Sequence, residues 1–154
     1  MADCNVLPAG NLQLRLVSLM PLLPRKGVLA IAAVIDIAMH GRNRPVSAKT
    51  LAARHKLPPR HLEPVLQALV RDGILKGIRG PHGGYALGRE RKRITAEDIV
   101  RSANRADEQN EGGLPATAFV GAVGPALAEA ERAFSAALAR ISIDEIARRA
   151  EALK

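Results

Sequence analysis

Aromatic residues are scarce in this chain: its 154 residues include two Phe, one Tyr and no Trp. The hydrophobic fraction of 47% is ordinary for a globular protein, so the core must consist mainly of aliphatic and alanine side chains. Such a core suits packed helices better than a β-sandwich, because strands favour aromatic and β-branched residues. We therefore expect a mainly helical fold.

Cysteine is almost absent as well, since Cys4 is the single thiol of the chain. One thiol excludes an intrachain disulfide and any zinc site or iron–sulfur cluster built on several thiolates. No cofactor is predicted, and a reducing cytoplasm is the simplest setting. Cys4 is either a redox sensor or an unpaired thiol on a loose end. We favour the second, because no basic residue near it in sequence would activate it.

No hydrophobic run is long enough for a membrane helix. The segment 28–39 is nearly all apolar, but it contains Asp36 and falls well short of the ~18 residues that a bilayer requires. The segment 12–23 resembles a weak signal-peptide core, but Arg15 interrupts it and no basic segment precedes it. We expect neither a membrane span nor secretion.

Catalytic motifs are missing too. The sequence has no nucleophile elbow, no His-Glu-x-x-His motif, no Walker loop and no cysteine paired with a base. A metal site on His55 and His61 can be imagined, but we favour surface or DNA-facing positions for both histidines. A non-enzyme is predicted, and a pocket with a strongly shifted acid or base would reverse this.

Positive charge, by contrast, is abundant and unevenly distributed. Residues 25–93 contain fifteen Lys and Arg against four Asp and Glu, whereas residues 94–154 contain seven against ten. A basic block beside a mildly acidic one favours one face for a polyanion and another for protein contacts. The alternative is a solvated basic surface that only promotes solubility.

Three helices are predicted in the basic block. Val28–His40 is apolar on almost every side and should be the buried central helix. Ser47 has the chemistry of an N-cap for a short helix over Ala48–His55. After a tight turn, a second helix is expected over Pro59–Asp72, where Pro64 should kink the helix or delay its start. The side chains expected to face the core are Leu51, Ala52, His55 by its stem, Leu62, Val65, Leu66, Leu69 and Val70.

A hairpin and a further helix should follow. Ile74–Ile78 and Tyr85–Leu87 are short strand candidates around a glycine-rich tip. Thr95 and Asp98 are spaced as a capping box for a helix that ends near Arg105. The order of short helix, turn, basic helix and hairpin is typical of a winged helix-turn-helix, which places its second helix in the major groove of DNA.

The C-terminal part should form a long helix from Pro125 to Arg140 and a last helix over Ile143–Leu153. Apolar residues recur on the long helix at three- and four-residue intervals. This seam packs either against its own domain or against a second subunit, and we favour the second because little other core lies nearby. The residues assigned to dimerisation are Leu127, Ala130, Phe134, Ala137, Leu138 and Ile141.

The predicted fold class is thus mainly α with a small two-stranded β wing. Residues 1–19 are expected to be a flexible tail, unless Met20 is the true initiator. Residues 20–105 should form the winged helix-turn-helix domain, 106–116 a loop and 117–154 the dimerisation helices.

Base recognition is assigned to the first turns of the basic helix. Arg60 suits guanine, Gln67 adenine, and Glu63 the amino group of cytosine. Glu63 is equally explained by an ion pair with Arg60 on the same face. Lys76 and Arg89 are expected to hold phosphates. The residues predicted to contact DNA are Lys26, Ser47, Lys49, Pro59, Arg60, His61, Glu63, Gln67, Arg79, Gly80, His82, Gly83 and Gly84.

Several segments carry a family resemblance. They are Lys26-Gly27, Leu62-Glu63-Pro64-Val65-Leu66, Arg79-Gly80-Pro81-His82-Gly83-Gly84-Tyr85-Ala86-Leu87 and Ile94-Thr95-Ala96-Glu97-Asp98-Ile99. With them the chain resembles the Rrf-two type of winged-helix regulators, the IscR, NsrR and CymR family. The resemblance implies a homodimeric, mostly repressing transcription factor. It also implies base readout at Arg60, His61 and Glu63, and minor-groove contact by the wing.

One departure from the family pattern matters. Many relatives hold an iron–sulfur cluster on three cysteines in the loop before the dimer helix, and residues 107–115 contain no cysteine. The chain therefore resembles the cluster-free branch, and its signal is a metabolite, a partner protein or nothing.

The predicted function is a sequence-specific DNA-binding regulator, acting as a repressor and a homodimer on a pseudo-palindromic operator. The alternative is a winged-helix module that binds proteins and has lost operator recognition. Salt-sensitive binding to a palindrome would support the first, and a partner retained at high salt would support the second.

Overall fold

The computed structural model of the chain describes residues 23–108 and 118–153. The predicted tail over 1–19, Cys4 and residues 109–117 lie outside the described residues. The elements, in chain order, are α1 (Arg25–His40), α2 (Ala48–Arg54), α3 (Pro59–Arg71), β1 (Leu75–Ile78), β2 (Gly84–Leu87), a 3-10 turn (Arg91–Arg93), α4 (Ala96–Glu108), α5 (Ala118–Ala139) and α6 (Ile143–Glu151). The predicted mainly helical fold with a two-stranded wing is confirmed.

Helix α1 occupies the centre of the core, as its all-round apolar sequence predicts. Ala30, Ala33 and Val34 are completely buried, and the helix packs against α3, α4, α6 and the wing. Gly41 ends it, with its backbone N–H bonded to the carbonyl of Ile37 at 2.7 Å. The remaining elements are arranged around this helix, so the surface that faces away from it is free for other contacts.

The predicted helix-turn-helix is formed by α2 and α3. The Ser47 side chain caps α2 by accepting a hydrogen bond from the Thr50 backbone N–H at 3.1 Å, which confirms the predicted N-cap. At the other end Lys56 takes a left-handed φ of 52°, and the Leu57 N–H bonds to the Ala52 carbonyl at 2.9 Å. This is a Schellman ending, and it turns the chain sharply towards α3.

Helix α3 begins at Pro59 despite the proline in its interior. A delayed start was one of the two predicted effects of Pro64, and it is wrong: Pro58 and Pro59 set φ values compatible with the helix entry, and the His61 N–H closes the first turn on the Pro58 carbonyl at 3.0 Å. Leu62, Val65, Leu66 and Leu69 are fully buried as predicted. Ala68 is buried as well, whereas Val70 is only partly buried against the core.

The wing is an antiparallel hairpin in which Leu75 pairs with Leu87 and Ile78 with Gly84. A third segment joins it, because Val46 and Tyr85 exchange two backbone hydrogen bonds of 2.9 and 2.8 Å. Val46 directly precedes the Ser47 cap of α2. The wing is therefore attached to the start of the helix-turn-helix rather than projecting from it alone.

The capping box predicted for α4 is present. The Thr95 N–H bonds to Asp98 Oδ2 at 3.2 Å, and the Asp98 N–H bonds to Thr95 Oγ1 at 3.1 Å. The helix continues past the predicted end at Arg105 to Glu108. Because α4 packs on both α1 and α3, it supports the helix-turn-helix from behind.

The long helix starts earlier than its sequence suggests. Pro125 was predicted to be its first residue, but α5 already begins at Ala118 and contains Pro125 in its interior. Gly121, whose carbonyl faces the proline ring one turn earlier, is exposed, so its freed acceptor is accessible to solvent. Ile141, counted in the apolar seam, lies beyond the end of α5 because the chain turns there: its carbonyl accepts the Ala96 N–H at 2.9 Å.

The last helix returns to the main core. The Ile143 N–H bonds to the Ile94 carbonyl at 2.9 Å, and Thr95 pairs with Ser142 in an isolated bridge. Ile143 and Ala147 are completely buried in the same cluster as α1 and α3. Among the described residues no helix combines the length and apolar character that crossing a membrane would require.

Candidate nucleic-acid interface

Helix α3 divides its residues sharply between core and solvent. Leu62, Val65 and Leu66 are buried, whereas Arg60 and His61 are exposed. The further exposed positions on this outer side are Pro59, Glu63, Pro64 and Gln67. The four polar side chains predicted to read bases therefore stand together on the outer side of the amphipathic helix.

The two charged residues of this face do not neutralise each other. Within the part of the chain that the structure describes, no ion pair joins Arg60 to Glu63, although they are spaced three residues apart on one helix. The ion-pair explanation of Glu63 thus lacks the contact that it requires. A guanidinium and a carboxylate are therefore both exposed on the outer side of the helix.

The wing presents its tip to solvent. Arg79, Gly80 and His82 are exposed, and Gly80 has a φ of 119° that side-chain-bearing residues rarely adopt. The hairpin itself requires glycine at Gly83, since a Cβ at that position would overlap the carbonyl oxygen of Ile78. Its predicted role in approaching DNA is therefore not needed to explain why it is glycine.

Gly84 connects the wing to the helix-turn-helix. A Cβ here would lie 2.5 Å from the Val46 carbonyl oxygen and 2.9 Å from the Ser47 nitrogen. The missing side chain lets the strand pass close to the N-terminus of α2. As a result, the partly buried Ser47 and the exposed Lys49 are held beside the wing.

The other basic residues predicted to contact DNA phosphates lie in different parts of the fold. Lys26 is partly buried in the first turn of α1, and Lys76 is exposed on β1. Arg89 donates from Nη2 to the Asp72 carbonyl at 2.8 Å and from Nε to the Gly73 carbonyl at 3.3 Å. These contacts place Arg89 at the C-terminal end of α3, opposite to the end that carries Arg60.

The sequence did not predict a buried charged residue beside the helix-turn-helix. Asp36 of α1 is 8% exposed, and Arg54 Nη1 donates to its Oδ1 at 2.5 Å. His40 Nδ1 lies 2.9 Å from Oδ1, and His55 Nε2 lies 3.2 Å from Oδ2. Burial raises the pKa of Asp36, but the contacts with His55 and Arg54 outweigh it and hold that pKa below the ordinary value. The signal in the sequence was an acidic residue within an apolar helix.

The predicted dimerisation residues fall into two groups. Phe134 and Leu138 pack against Ala96 and Val100 of α4, within the same chain. Leu127 is 63% exposed. Ala130, Ala137 and Ile141 are exposed as well. The seam is therefore covered by its own domain at Phe134 and Leu138, and its remaining residues form an exposed apolar surface, the open side of α5.

The described residues hold no group of three or more His, Cys, Asp or Glu side chains arranged to bind a metal ion. His55 is turned towards Asp36, whereas His61 is exposed on α3. The two histidines that could be imagined as a metal pair thus have different surroundings.

Comparisons with known proteins agree on one family. A family model described as Rrf2, iron-dependent transcriptional regulator, matches residues 23–149. A putative HTH-type transcriptional regulator of Haemophilus influenzae is 37% identical over 82 residues, which are 53% of this chain and 55% of that protein. The HTH-type transcriptional regulator CymR of Bacillus subtilis is 38% identical over 76 residues, 49% of this chain and 55% of CymR. The chain thus spans about half the length of the curated relatives it matches.

Solved structures extend the similarity beyond this half. IscR of T. potens aligns with a TM-score of 0.66 at 29% identity, covering 86% of this chain and 90% of that one. CymR of B. subtilis, the global cysteine regulator of that organism, aligns with a TM-score of 0.64 at 25% identity, covering 82% of this chain and 96% of that one. The fold similarity therefore includes the long helix as well as the winged part.

Proposed function

Because this chain belongs to the Rrf2 family of transcriptional regulators, we propose that it binds a specific DNA sequence as a homodimer and regulates transcription from it. Repression is the mode we propose, since a dimer seated on a promoter excludes other proteins from the same DNA. The cytoplasm is the compartment where this activity takes place.

The observation that carries the proposal is the division of α3. One side of the helix is sealed into the core through Leu62, Val65 and Leu66, so the helix cannot roll about its axis. The opposite side presents Arg60, His61 and Glu63 without an ion pair between the two charged residues. A rigid helix with exposed polar groups on one side is what insertion into a major groove requires.

Three of the exposed side chains of α3 each fit a particular base edge. The Arg60 guanidinium can donate two parallel hydrogen bonds to guanine O6 and N7, and Gln67 can pair with adenine. The Glu63 carboxylate accepts from cytosine N4 and is repelled by phosphates, so it penalises wrong bases as well as rewarding the right one. Arg79 and His82 at the wing tip reach the neighbouring minor groove.

Phosphate contacts come from cations on the neighbouring elements. Lys49 in the first turn of α2 and Lys76 on the wing are exposed, and Lys26 in the first turn of α1 is partly buried. Such contacts fix the register of the protein on the duplex and release counterions, so binding weakens steeply as salt is raised.

Dimerisation uses the open side of α5. Leu127, Ala130 and Ala137 are exposed although α5 is apolar along most of its length. A second copy related by a two-fold axis would bury this side and present two α3 helices to two half-sites.

The family description mentions iron, and the residues of this chain do not fit a cysteine-held cluster. Cys4 is the only thiol, residues 107–115 contain none, and the described residues offer no alternative set of metal ligands. We therefore propose that the signal reaches this protein by means other than a cysteine-held cluster.

The proposal is tested by a competition binding assay with the Arg60→Ala, Glu63→Ala double variant. The duplex is the one that the wild-type protein selects from a random pool, and the competitor is random-sequence DNA. Loss of two base contacts should reduce the preference for the selected duplex by about 100-fold, since each mismatched contact costs about 1–3 kcal/mol.

A matched control exists on the 3-10 turn. Glu90 and Arg93 are also three residues apart, highly exposed and opposite in charge, so Glu90→Ala with Arg93→Ala changes net charge identically. This control should keep the wild-type preference. If the Arg60 and Glu63 variant discriminates as well as the control does, α3 is not the reading helix.

A further inference from the structure

Asp36 is the only charged side chain buried among the described residues. Every other fully buried large side chain of the core is aliphatic. An ionised carboxylate in such a core is costly unless it is paired, and well-packed apolar residues are often equally stable in its place. Stability alone therefore does not explain an aspartate at this position, and its contacts indicate another role.

The partners of Asp36 lie at one critical point of the fold. Arg54 is the last residue of α2, and His55 is its C-cap. Arg54 Nη1 contacts Oδ1 at 2.5 Å, and His55 Nε2 faces Oδ2 at 3.2 Å. The carboxylate of the central helix thus accepts a hydrogen bond from Arg54 and lies within ion-pair distance of His55, two consecutive residues immediately before the turn of the helix-turn-helix. His40, from the same helix as Asp36, also approaches the carboxylate, with Nδ1 at 2.9 Å from Oδ1.

The turn itself depends on being held. Lys56 follows His55 directly and takes the left-handed φ of 52° that non-glycine residues avoid. Three residues after Lys56 the chain enters α3, whose first turn carries Arg60 and His61. A small rotation at the end of α2 would therefore be transmitted to the groups proposed to read bases, because only a short turn separates them.

We propose that Asp36 is a positioning residue for DNA recognition: by holding Arg54 and His55 it fixes the turn that aims α3. The inference rests on the proposed function, and it adds a residue that does not touch DNA. The carboxylate is buried in the core, so its effect on binding must pass through Arg54, His55 and the turn.

The test uses Asp36→Asn, which keeps the shape of the side chain and removes its charge. The probes are the duplex selected by the wild-type protein and a random-sequence duplex of the same length. We expect the preference for the selected duplex to fall about tenfold, whereas affinity for the random duplex stays within about twofold, because phosphate contacts are retained. Asp144→Asn is the control: it removes one carboxylate from a surface pair with Arg148 on α6 and should leave both affinities unchanged.

A second variant, Arg54→Gln, approaches the same pair from its exposed end and decides the matter if Asp36→Asn does not fold. Positioning predicts loss of preference, whereas a phosphate contact of Arg54 would weaken both duplexes equally. Combination with Arg60→Ala supplies a double-mutant cycle. If Asp36 or Arg54 acts by positioning, the preference of the combined variant should fall by less than the product of the two single reductions. The reason is that a misaligned Arg60 already contributes less to base recognition.

The outcomes separate the two ideas. If the wild-type protein prefers no sequence, the proposed function fails and the inference fails with it. If the wild-type protein has a preference and a folded Asp36→Asn keeps it, the inference alone is overturned. A combined reduction in preference equal to the product of the single reductions would also overturn it, because the residue would then act independently of Arg60.

Discussion

Single residues decide the conformation of the turn between α2 and α3. Lys56 is the one non-glycine residue with a positive φ in the part of the chain that the structure describes, at 52°. Most helix endings of this kind use glycine at that position, as α3 does with Gly73 at a φ of 70°. The cost of keeping a lysine here is conformational, and it is measurable.

Lys56→Gly should raise the free energy of unfolding by about 0.5 kcal/mol, because relief of the left-handed clash outweighs the added backbone entropy of glycine. Urea denaturation followed by circular dichroism measures the change. Gln67→Gly, at an exposed position inside α3, should instead cost about 1 kcal/mol. Equal losses for both variants would contradict the assigned turn.

Asp36 gives the stability of the protein a predictable response to acid. Its folded-state pKa is depressed below 3.8, so its charge stabilises the fold above that value and the contribution is lost as pH falls through the folded pKa. Urea denaturation between pH 2.5 and 5 should show a weaker acid dependence for Asp36→Asn than for the wild-type protein. Parallel curves would contradict the depressed pKa.

Elements are positioned by contacts that connect segments distant in sequence. Spacing alone identified α1, α2, α3, both strands and the capping box at Thr95, because local residue types set those features. It did not locate the Val46–Tyr85 bridge or the return of α6 to the core, since both depend on pairing between distant segments. The start predicted at Pro125 was wrong. Proline favours the first position of a helix, but here the residues before it are helical too, from Ala118 onwards.

The attachment of the wing to the helix-turn-helix depends on Gly84. Gly84→Ala places a Cβ against the Val46 carbonyl and should lower the free energy of unfolding by about 2 kcal/mol. The matched control is Gly77→Ala on β1, where a Cβ meets nothing within 4 Å and the effect should stay within about 0.5 kcal/mol. Thermal denaturation of both variants compares them directly, and indistinguishable midpoints would contradict the close approach.

At the scale of the whole molecule, charge and shape favour opposite roles for the two ends of the chain. The basic segment 25–93 holds the exposed face of α3 and the wing, whereas the mildly acidic segment 94–154 holds the open side of α5. The outline of this division was predictable from composition. The contacts of Asp36 with Arg54 and His55 were not predictable, because no spacing rule connects these residues before the helices are packed.

Leu127→Glu tests the role of the open side. A carboxylate on this exposed position should leave the monomer folded and prevent a second copy from packing there. Sedimentation velocity should show a dimer for the wild-type protein and a monomer for the variant. Glu129→Ala, at an exposed position on the same helix, should remain dimeric. A dimeric Leu127→Glu would place the subunit contact elsewhere.

The central claim is that α3 of a two-fold dimer reads DNA, and selection of duplexes from a random pool by the full-length wild-type protein tests it most directly. We expect enrichment of one motif with two inverted half-sites, about one helical turn or a multiple of it apart. Binding to that motif should weaken steeply with salt. Recovery of a pool with no enriched sequence would contradict it.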